Sequence, residues 1–123
     1  MATLLVNAGK AIVTNRIRAG GTEPLNAAWG TGAGTTAASD TTLFTEATPR
    51  AAGTSSQVTT SVTNDTYQVV ATITAGGTLA ITNAGLFDVI TASSGNLFVK
   101  GDFSTINLSS GDSIQFTFKT QFS

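Results

Sequence analysis

The carboxy-terminal stretch SIQFTFKTQF, residues 113–122, carries the most regular hydrophobic pattern in the chain. Successive side chains of a β-strand point to opposite faces, so apolar residues at every second position predict a strand with one face in the core. Such a face needs a second layer to cover it, and the pattern therefore favours packed sheets over a helical bundle. The residues expected inside are Ile114, Phe116, Phe118 and Phe122, and those expected outside are Gln115, Thr117, Lys119 and Gln121.

A first hairpin is predicted between QVTTSV, residues 57–62, and YQVVATI, residues 67–73. A two-residue Asn64-Asp65 turn would join the two strands and would fix which residues lie opposite each other. In that register Val62 faces Tyr67, Thr60 faces Val69 and Val58 faces Ala71, and one side of the hairpin, with Ile73, lies in the core.

A second hairpin is predicted between GLFDVI and NLFVKGDF around the turn TASSG, residues 91–95. A register centred near Ser94 places Asp88 opposite Lys100, so these two side chains would form an ion pair on the exposed face. The side chains expected to be buried are then Phe87, Val89 and Val99, with Gly101 beside them.

Short strands separated by turn residues every ten residues or so are typical of antiparallel β-sandwiches. A tight turn at Ser109-Ser110-Gly111, with Gly111 in the left-handed conformation, would set Ile106 opposite Ile114. We therefore predict a mainly β fold, an antiparallel β-sandwich that is jelly-roll-like, with one short amino-terminal helix. The 123 residues are expected to form a single domain with a helical segment at 1–21, a loop-rich part at 22–48 and a β core at 49–123.

The helix is predicted from Thr3, a potential N-cap, to the stop at Gly20 and Gly21. Arg16 and Arg18 would lie in its last turn, where positive charge is favourable. A strand at TLLV, residues 3–6, is the alternative. The apolar face of the helix would contain Leu4, Leu5, Ala8, Ala11 and Ile12.

The stretch WGTGAGTTAASDTTLF, residues 29–44, raises the question of a phosphate-binding loop. Its glycines at 30, 32 and 34 are spaced G-x-G-x-G, which lacks the third glycine of the dinucleotide fingerprint, and no Gly-Lys-Ser/Thr ending follows. No basic residue lies between Arg18 and Arg50 to bind phosphate. A turn-rich connection is therefore the favoured interpretation, preceded by a short strand at NAAWGTG, residues 26–32.

The chemical inventory of the chain argues against enzymatic function. It has no histidine and no cysteine, which removes the commonest general base, the thiol nucleophile and the usual zinc ligands. Asp88 and Asp102 flank Lys100, yet alternation places both carboxylates towards solvent. We expect no catalytic residue, no metal, no cofactor and no small-molecule substrate.

Charge is sparse, at 11% of residues, and the formal net charge is −1. Scattered basic residues give no electrostatic footprint for nucleic acid, and no apolar run is long enough for a membrane span, so neither partner is expected. The start of the chain also lacks the pattern of a secretory signal. A weakly charged, hydroxyl-rich surface suits a protein that packs against neighbours, although threonine is common in ordinary β domains too.

Three stretches carry a resemblance to known proteins: GTGAGTTAASDTTL, AGLFD and the closing FSTINLSSGDSIQFT. Together with the intervening sequence, they resemble the head decoration, or cement, proteins of tailed bacteriophages, and more loosely the β domains of phage tail fibres. The resemblance implies a β-sandwich that binds the outer surface of an icosahedral capsid, is made in the host cytoplasm, and bridges capsomers as a homotrimer in contact with the major capsid protein. The alternative it leaves open is a tail-fibre or receptor-binding module for host adhesion.

The residues that would contact a capsid fall in two segments. The first holds Lys10, Arg16 and Arg18, half of the basic residues of the chain, although charges that compensate a helix dipole explain the arginines equally well. The second is the glycine-rich loop with Thr35 and Thr36. Trp29, just before that loop, is the remaining candidate, and packing beneath the helix is its alternative role.

Overall fold

The computed structural model describes all 123 residues and is mainly β, with two antiparallel sheets and one helix. The predicted β-sandwich with a short amino-terminal helix is confirmed. The elements in chain order are α1 (Asn7–Ala19), β1 (Asn26–Gly30), β2 (Glu46–Ala52), β3 (Thr54–Val58), β4 (Thr66–Thr74), β5 (Leu79–Phe87), β6 (Leu97–Leu108) and β7 (Ser113–Gln121).

One sheet has the strand order β2-β1-β5-β6 and the other has the order β3-β4-β7. The core lies between them and is built from alternate residues of the inner strands, as period two requires. Every residue of β1 is buried, because β2 and β5 flank this strand and both of its faces are covered. The predicted short strand at NAAWGTG is therefore confirmed, and it occupies an inner position of its sheet. The largest fully buried side chains are Trp29, Tyr67, Ile73, Ile81 and Leu86.

The alternation predicted for β4 and β7 is confirmed. In β4, the side chains of Tyr67, Val69, Ala71 and Ile73 are at most 3% exposed. In β7, inward and outward residues alternate over the whole strand, and the inward phenylalanines pack against the core. They remain half-buried, however, because β7 is an edge strand.

The first predicted hairpin is wrong in its turn and register. Val58 pairs with Thr66, and the chain between them forms a longer loop in place of a two-residue turn. The cause is Asp65, which is buried and points back into this loop. Its carboxylate accepts hydrogen bonds from the N–H groups of Thr60, Ser61 and Val62 at 2.9–3.1 Å, from the Thr66 hydroxyl at 3.0 Å and from the Gln121 amide at 3.1 Å.

The second hairpin forms between β5 and β6, but Lys100 pairs with Gly85 and does not lie opposite Asp88. The predicted ion pair of Asp88 and Lys100 is wrong, because each side chain finds another partner. Asp88 accepts hydrogen bonds from the backbone and side-chain amides of Asn96 at 2.7 and 2.9 Å, which closes the turn. Of the four positions expected to be buried, Phe87 is buried, Val89 and Val99 are half-buried, and Gly101 is exposed.

The last predicted pairing, Ile106 with Ile114, is also wrong. The SSGD connection carries the chain from one sheet to the other, so β6 and β7 belong to different sheets. Ile106 pairs with Ile81 and Ile114 pairs with Ile73. Gly111 does adopt a positive φ of 91°, as the turn chemistry predicted.

Helix α1 begins at Asn7 rather than after Thr3, and Val6 precedes it without a side-chain cap. The predicted apolar face is wrong, since Leu4, Leu5 and Ile12 are exposed. The buried residue is Thr14, whose hydroxyl donates to the carbonyl oxygen of Asn64 at 2.8 Å and accepts from the Gln57 amide at 2.8 Å. Hydrogen bonds therefore contribute to the attachment of the helix to the β3–β4 loop. The helix is neither long nor apolar enough to cross a lipid bilayer.

Asp65→Asn is expected to lower the melting temperature at neutral pH, because the amide turns a donor towards backbone N–H groups that need an acceptor. The hydrogen bonds to the carboxylate from Thr60, Ser61 and Val62 outweigh the cost of burial and hold the pKa of Asp65 below its ordinary value of 3.8. A lowered pKa stabilises the fold above the unfolded-state pKa, and this contribution is lost as the pH falls below it. Thermal melts of both proteins from pH 7 to pH 2 should show the difference narrowing below about pH 4. A constant difference would contradict the role of the ionised carboxylate.

Candidate interaction surfaces

The 31–45 loop, residues 31 to 45, folds back on itself and covers the outer face of the four-stranded sheet. Its two ends pair through hydrogen bonds from Thr31 N–H to the Thr45 carbonyl oxygen and from Gly32 N–H to the Phe44 carbonyl oxygen, both 2.9 Å. Within it, Leu43 packs with Ala28 and Phe87 in a second, smaller apolar cluster. The loop is thus part of the packed structure, and it supplies the cover that buries the outer face of β1.

Asn83, a fully buried residue of β5, fixes the returning end of the loop. Its side-chain amide donates to the Phe44 carbonyl oxygen at 3.1 Å, and its side-chain oxygen accepts from the Phe44 N–H at 3.0 Å. The asparagine side chain therefore replaces the backbone partner that a neighbouring strand would provide. Both polar groups of this buried side chain therefore have hydrogen-bond partners.

The three glycines of the G-x-G-x-G stretch make room for Phe44 and its neighbour. A Cβ atom on Gly30 would collide with the Phe44 carbonyl oxygen, and one on Gly34 would approach the Phe44 ring to 2.6 Å. A Cβ atom on Gly32 would come within 2.6 Å of the Thr45 hydroxyl. This close approach explains the glycine spacing through packing and supports the turn-rich interpretation of the sequence.

Lys100 attaches the middle of the loop to β6. Its ammonium group donates to Asp40 Oδ2 at 2.9 Å and to the Thr42 carbonyl oxygen at 3.0 Å, and it lies 3.3 Å from the centroid of the Phe44 ring. The N–H of Ala37, and then Lys100, hold the pKa of Asp40 below its usual range. These contacts restrict the exposed loop residues to one arrangement.

Arg50 attaches the turn between β5 and β6 to β2, and this role was not predicted from the sequence. Its buried guanidinium binds Glu46 through two hydrogen bonds of 2.7 and 2.9 Å, and donates to the carbonyl oxygens of Val89 and Ser94 at 2.9 Å. It also lies 3.8 Å from the centroid of the Phe87 ring. The only signal in the sequence was the spacing of Glu46 and Arg50 by four residues, which is commonly interpreted as a helical pair.

All seven acidic side chains accept a hydrogen bond from the chain itself. Glu23 accepts from the buried Tyr67 hydroxyl at 3.0 Å, and burial, with Glu23 as the next cause, raises the pKa of Tyr67. The backbone N–H of Asn96, and then its side chain, lower the pKa of Asp88. Asp102 accepts from the Thr36 N–H at 3.0 Å. Nowhere do three acidic side chains meet in a potential metal site.

The basic residues of helix α1 are spread around it, since Arg16 lies about 160° from Arg18 and about 120° from Lys10 at 3.6 residues per turn. The side of α1 that faces solvent, opposite the buried Thr14, is centred on Arg16, and we call it the basic helix face. Arg16 is exposed, Lys10 is half-buried, and Arg18 donates to the Ser55 hydroxyl at 3.3 Å while remaining exposed. No acidic residue occurs in the helix, so its three positive charges have no ion-pair partner within it. Ile12 lies one turn before Arg16 and is 59% exposed.

The six predicted contact residues do not form one site. Thr35 is exposed on the 31–45 loop, and Thr36 is half-buried beside Asp102. Trp29 is in the core with no exposed surface, so it offers nothing to a partner in this conformation. The helix lies against β3 and β4, whereas the loop covers the opposite sheet. The accessible candidates therefore lie on two separate surfaces, the basic helix face and the 31–45 loop.

Gly30→Ala is expected to lower the free energy of unfolding by about 1–3 kcal/mol, since the added methyl group meets the backbone of Phe44 inside a packed region. Gly77→Ala is the matched control, because a Cβ atom there meets no atom within 4 Å. Urea denaturation of the two variants measures the difference. Equal stability would contradict the packing explanation of the glycine-rich stretch.

Compared with known proteins, the chain matches no family model, no curated protein and no solved structure at a significant level.

Proposed function

We propose that this protein is a structural component of a bacteriophage virion that binds the outside of the capsid and stabilises it by bridging neighbouring capsomers. The observation that carries the proposal is the basic helix face of α1, where the unpaired Arg16 lies one turn from the exposed Ile12. The resemblance of the sequence to phage decoration proteins supplies the partner, the major capsid protein. A non-enzymatic role is part of the proposal.

The charge distribution supports a partner with an acidic surface. Each carboxylate already has a hydrogen-bond partner within the chain, and Arg50 and Lys100 are held in ion pairs. The basic residues without an ion-pair partner are Lys10, Arg16, Arg18 and Lys119, and three of these four lie on α1. Complementary charge steers association and fixes orientation, and the exposed Ile12 adds apolar area that only a partner would bury.

Two separate surfaces suit a bridging protein, because bridging needs contacts with two different subunits. In this arrangement the helix face binds one capsomer and the 31–45 loop, with Thr35 exposed, contacts the next. Binding to the assembled shell alone lowers its free energy by RT ln(1 + [L]/Kd) per site, about 2.7 kcal/mol at a free concentration of 100 Kd. Summed over the many sites of a capsid, this becomes a large resistance to internal pressure.

The aromatic residues favour this role over host adhesion, the alternative function. Receptor and glycan sites commonly use exposed tryptophan and tyrosine as binding platforms. Here Trp29 and Tyr67 have no exposed surface, and the phenylalanines are at most half-exposed. No exposed tryptophan or tyrosine is therefore available as a binding platform for a host receptor.

The test measures binding of the purified protein to capsids that lack it, by sedimentation, together with the temperature at which the capsids open. We expect saturable binding and a higher opening temperature. Arg16→Glu should weaken binding about tenfold at low salt, and less at high salt where charges are screened. Lys119→Glu, the same charge reversal on exposed β7, is the matched control and should bind normally.

Absence of capsid binding, combined with retention of the protein by host cells, would overturn the proposal in favour of adhesion. Equal loss of binding in the Arg16→Glu and Lys119→Glu variants would overturn the assignment of the contact to α1. Circular dichroism of both variants checks that they are folded.

A further inference from the structure

The sandwich is incompletely covered on the side where β6 and β7 form the edges of the two sheets. These two strands contain 21 residues, of which only Leu108 is buried. Between the edges lies an open groove of about 320 Å³, whose apolar lining is Val99 and Phe103 on one side and Phe116 and Phe118 on the other, with Gly101 between; Lys100 and Lys119 also line it. We call it the β6–β7 groove.

The aromatic rings in this groove pack against each other without being fully covered. The ring centroids of Phe103 and Phe116 are 6.3 Å apart, and those of Phe116 and Phe118 are 5.8 Å apart. All three side chains are half-buried. A further apolar chain placed along them would remove this surface from water at about 25 cal/mol per Å².

The edges that border the groove also have free backbone hydrogen-bonding groups. β6 spans 12 residues and β7 spans 9, both long for edge strands. Natural proteins protect such edges with proline, short length or charged side chains, especially lysine. Neither strand contains proline, and β6 carries Lys100 and Asp102, which bind the 31–45 loop. β7 carries only Lys119, so β7 is the edge that is more open to pairing with another strand.

The chain also has an apolar segment that is exposed to solvent. Residues 1–6, MATLLV, precede α1 and belong to no helix or strand, and Val6 has an extended backbone. Leu4 is 85% exposed, Val6 is 60% exposed and Leu5 is 42% exposed. The side chains of this amino-terminal segment carry no charge, and it contains neither proline nor glycine. Its composition suits a β-strand buried on one face.

We propose that the amino-terminal segment of one copy binds in the β6–β7 groove of a second copy. An extended segment of six residues covers about 20 Å, enough to pair with roughly two thirds of β7. The pairing satisfies an open edge, and Leu4 and Val6, which lie on the same face of a strand, cover the phenylalanine rings. One contact thus removes both the exposed apolar segment and the uncovered groove, each of which is otherwise an unfavourable feature of a free chain.

Segment and groove are different surfaces, so each copy both donates and accepts. Such a contact closes into a ring, as in a trimer, or into a dimer that exchanges two segments. The inference rests on the proposed function and deepens it, since it names the contact that would join the copies of the homotrimer implied by the resemblance to decoration proteins. Its test uses no capsids, so its failure would leave capsid binding by the α1 face unaffected.

The first experiment measures oligomeric mass by light scattering and native mass spectrometry over a range of concentrations. Gly101→Glu places a charged side chain in the groove without disturbing the folded chain, since a Cβ atom there meets no atom within 4 Å. Leu4→Asp changes the segment at an exposed position. We expect the unaltered protein to form a discrete oligomer and each variant to weaken self-association at least tenfold. The controls are Gly77→Glu, where a Cβ atom also meets no atom within 4 Å, and Ile90→Asp, at a 53% exposed position. Both lie outside the two surfaces and should assemble normally.

The second experiment uses the absence of native cysteine to trap the contact. Leu4→Cys protein and Gly101→Cys protein are mixed and oxidised, and the disulfide-linked product is identified by mass. We expect a cross-linked pair, and a much lower yield when Ile90→Cys replaces Gly101→Cys. A monomer at all concentrations, or equal cross-linking with both partners, would overturn the proposal. Efficient cross-linking within one chain of the Leu4→Cys/Gly101→Cys double variant at high dilution would show that the segment fills its own groove, and would also overturn it.

Discussion

The burial of β1 on both faces is the constraint on which the rest of the architecture depends. Its inner face joins the sandwich core through Ala27 and Trp29, and its outer face, at Ala28, needs a separate cover. That cover is the 31–45 loop, which stays in place only because Asn83 replaces a strand and Lys100 binds its middle. The glycines of the loop, Lys100 of β6 and Asn83 of β5 thus all serve to hold the loop against the outer face of β1.

Whether a feature of the fold could be predicted from the sequence depended on how far apart along the chain its interacting residues lie. The alternation in β4 and β7 is a local pattern, and a single sequence is enough to identify which of their faces lies in the core. The hairpin registers failed because they are set by side chains distant from the pattern. Asp65 lengthens the β3–β4 loop through contacts with Ser61 and Gln121, and no rule of turn length contains that information.

The buried face of α1 was predicted incorrectly, and Trp29 was included among the contact residues, for a different reason. Periodicity predicted the length of α1 approximately but misplaced its buried face, because attachment through Thr14 depends on a carbonyl oxygen and an amide that other elements supply. The contact residues were chosen by type, which identified the basic helix but included Trp29. A lone tryptophan beside a glycine-rich loop is compatible with a core or a surface position, and only the covered outer face of β1 shows that this region is interior.

The polar interactions also determine where the molecule is available to partners. The carboxylates and two of the basic residues hold loops and turns, and three of the four basic residues without an ion pair lie on α1, beside β3. An incompletely covered apolar groove lies at the opposite edge of the same sheet, where β7 borders it. Because these two surfaces are on different edges, occupation of the groove leaves the basic face of the helix free. The two contacts proposed above would therefore join copies of the sandwich along one edge and leave the other edge for the capsid, as an oligomer that bridges the subunits of a shell requires.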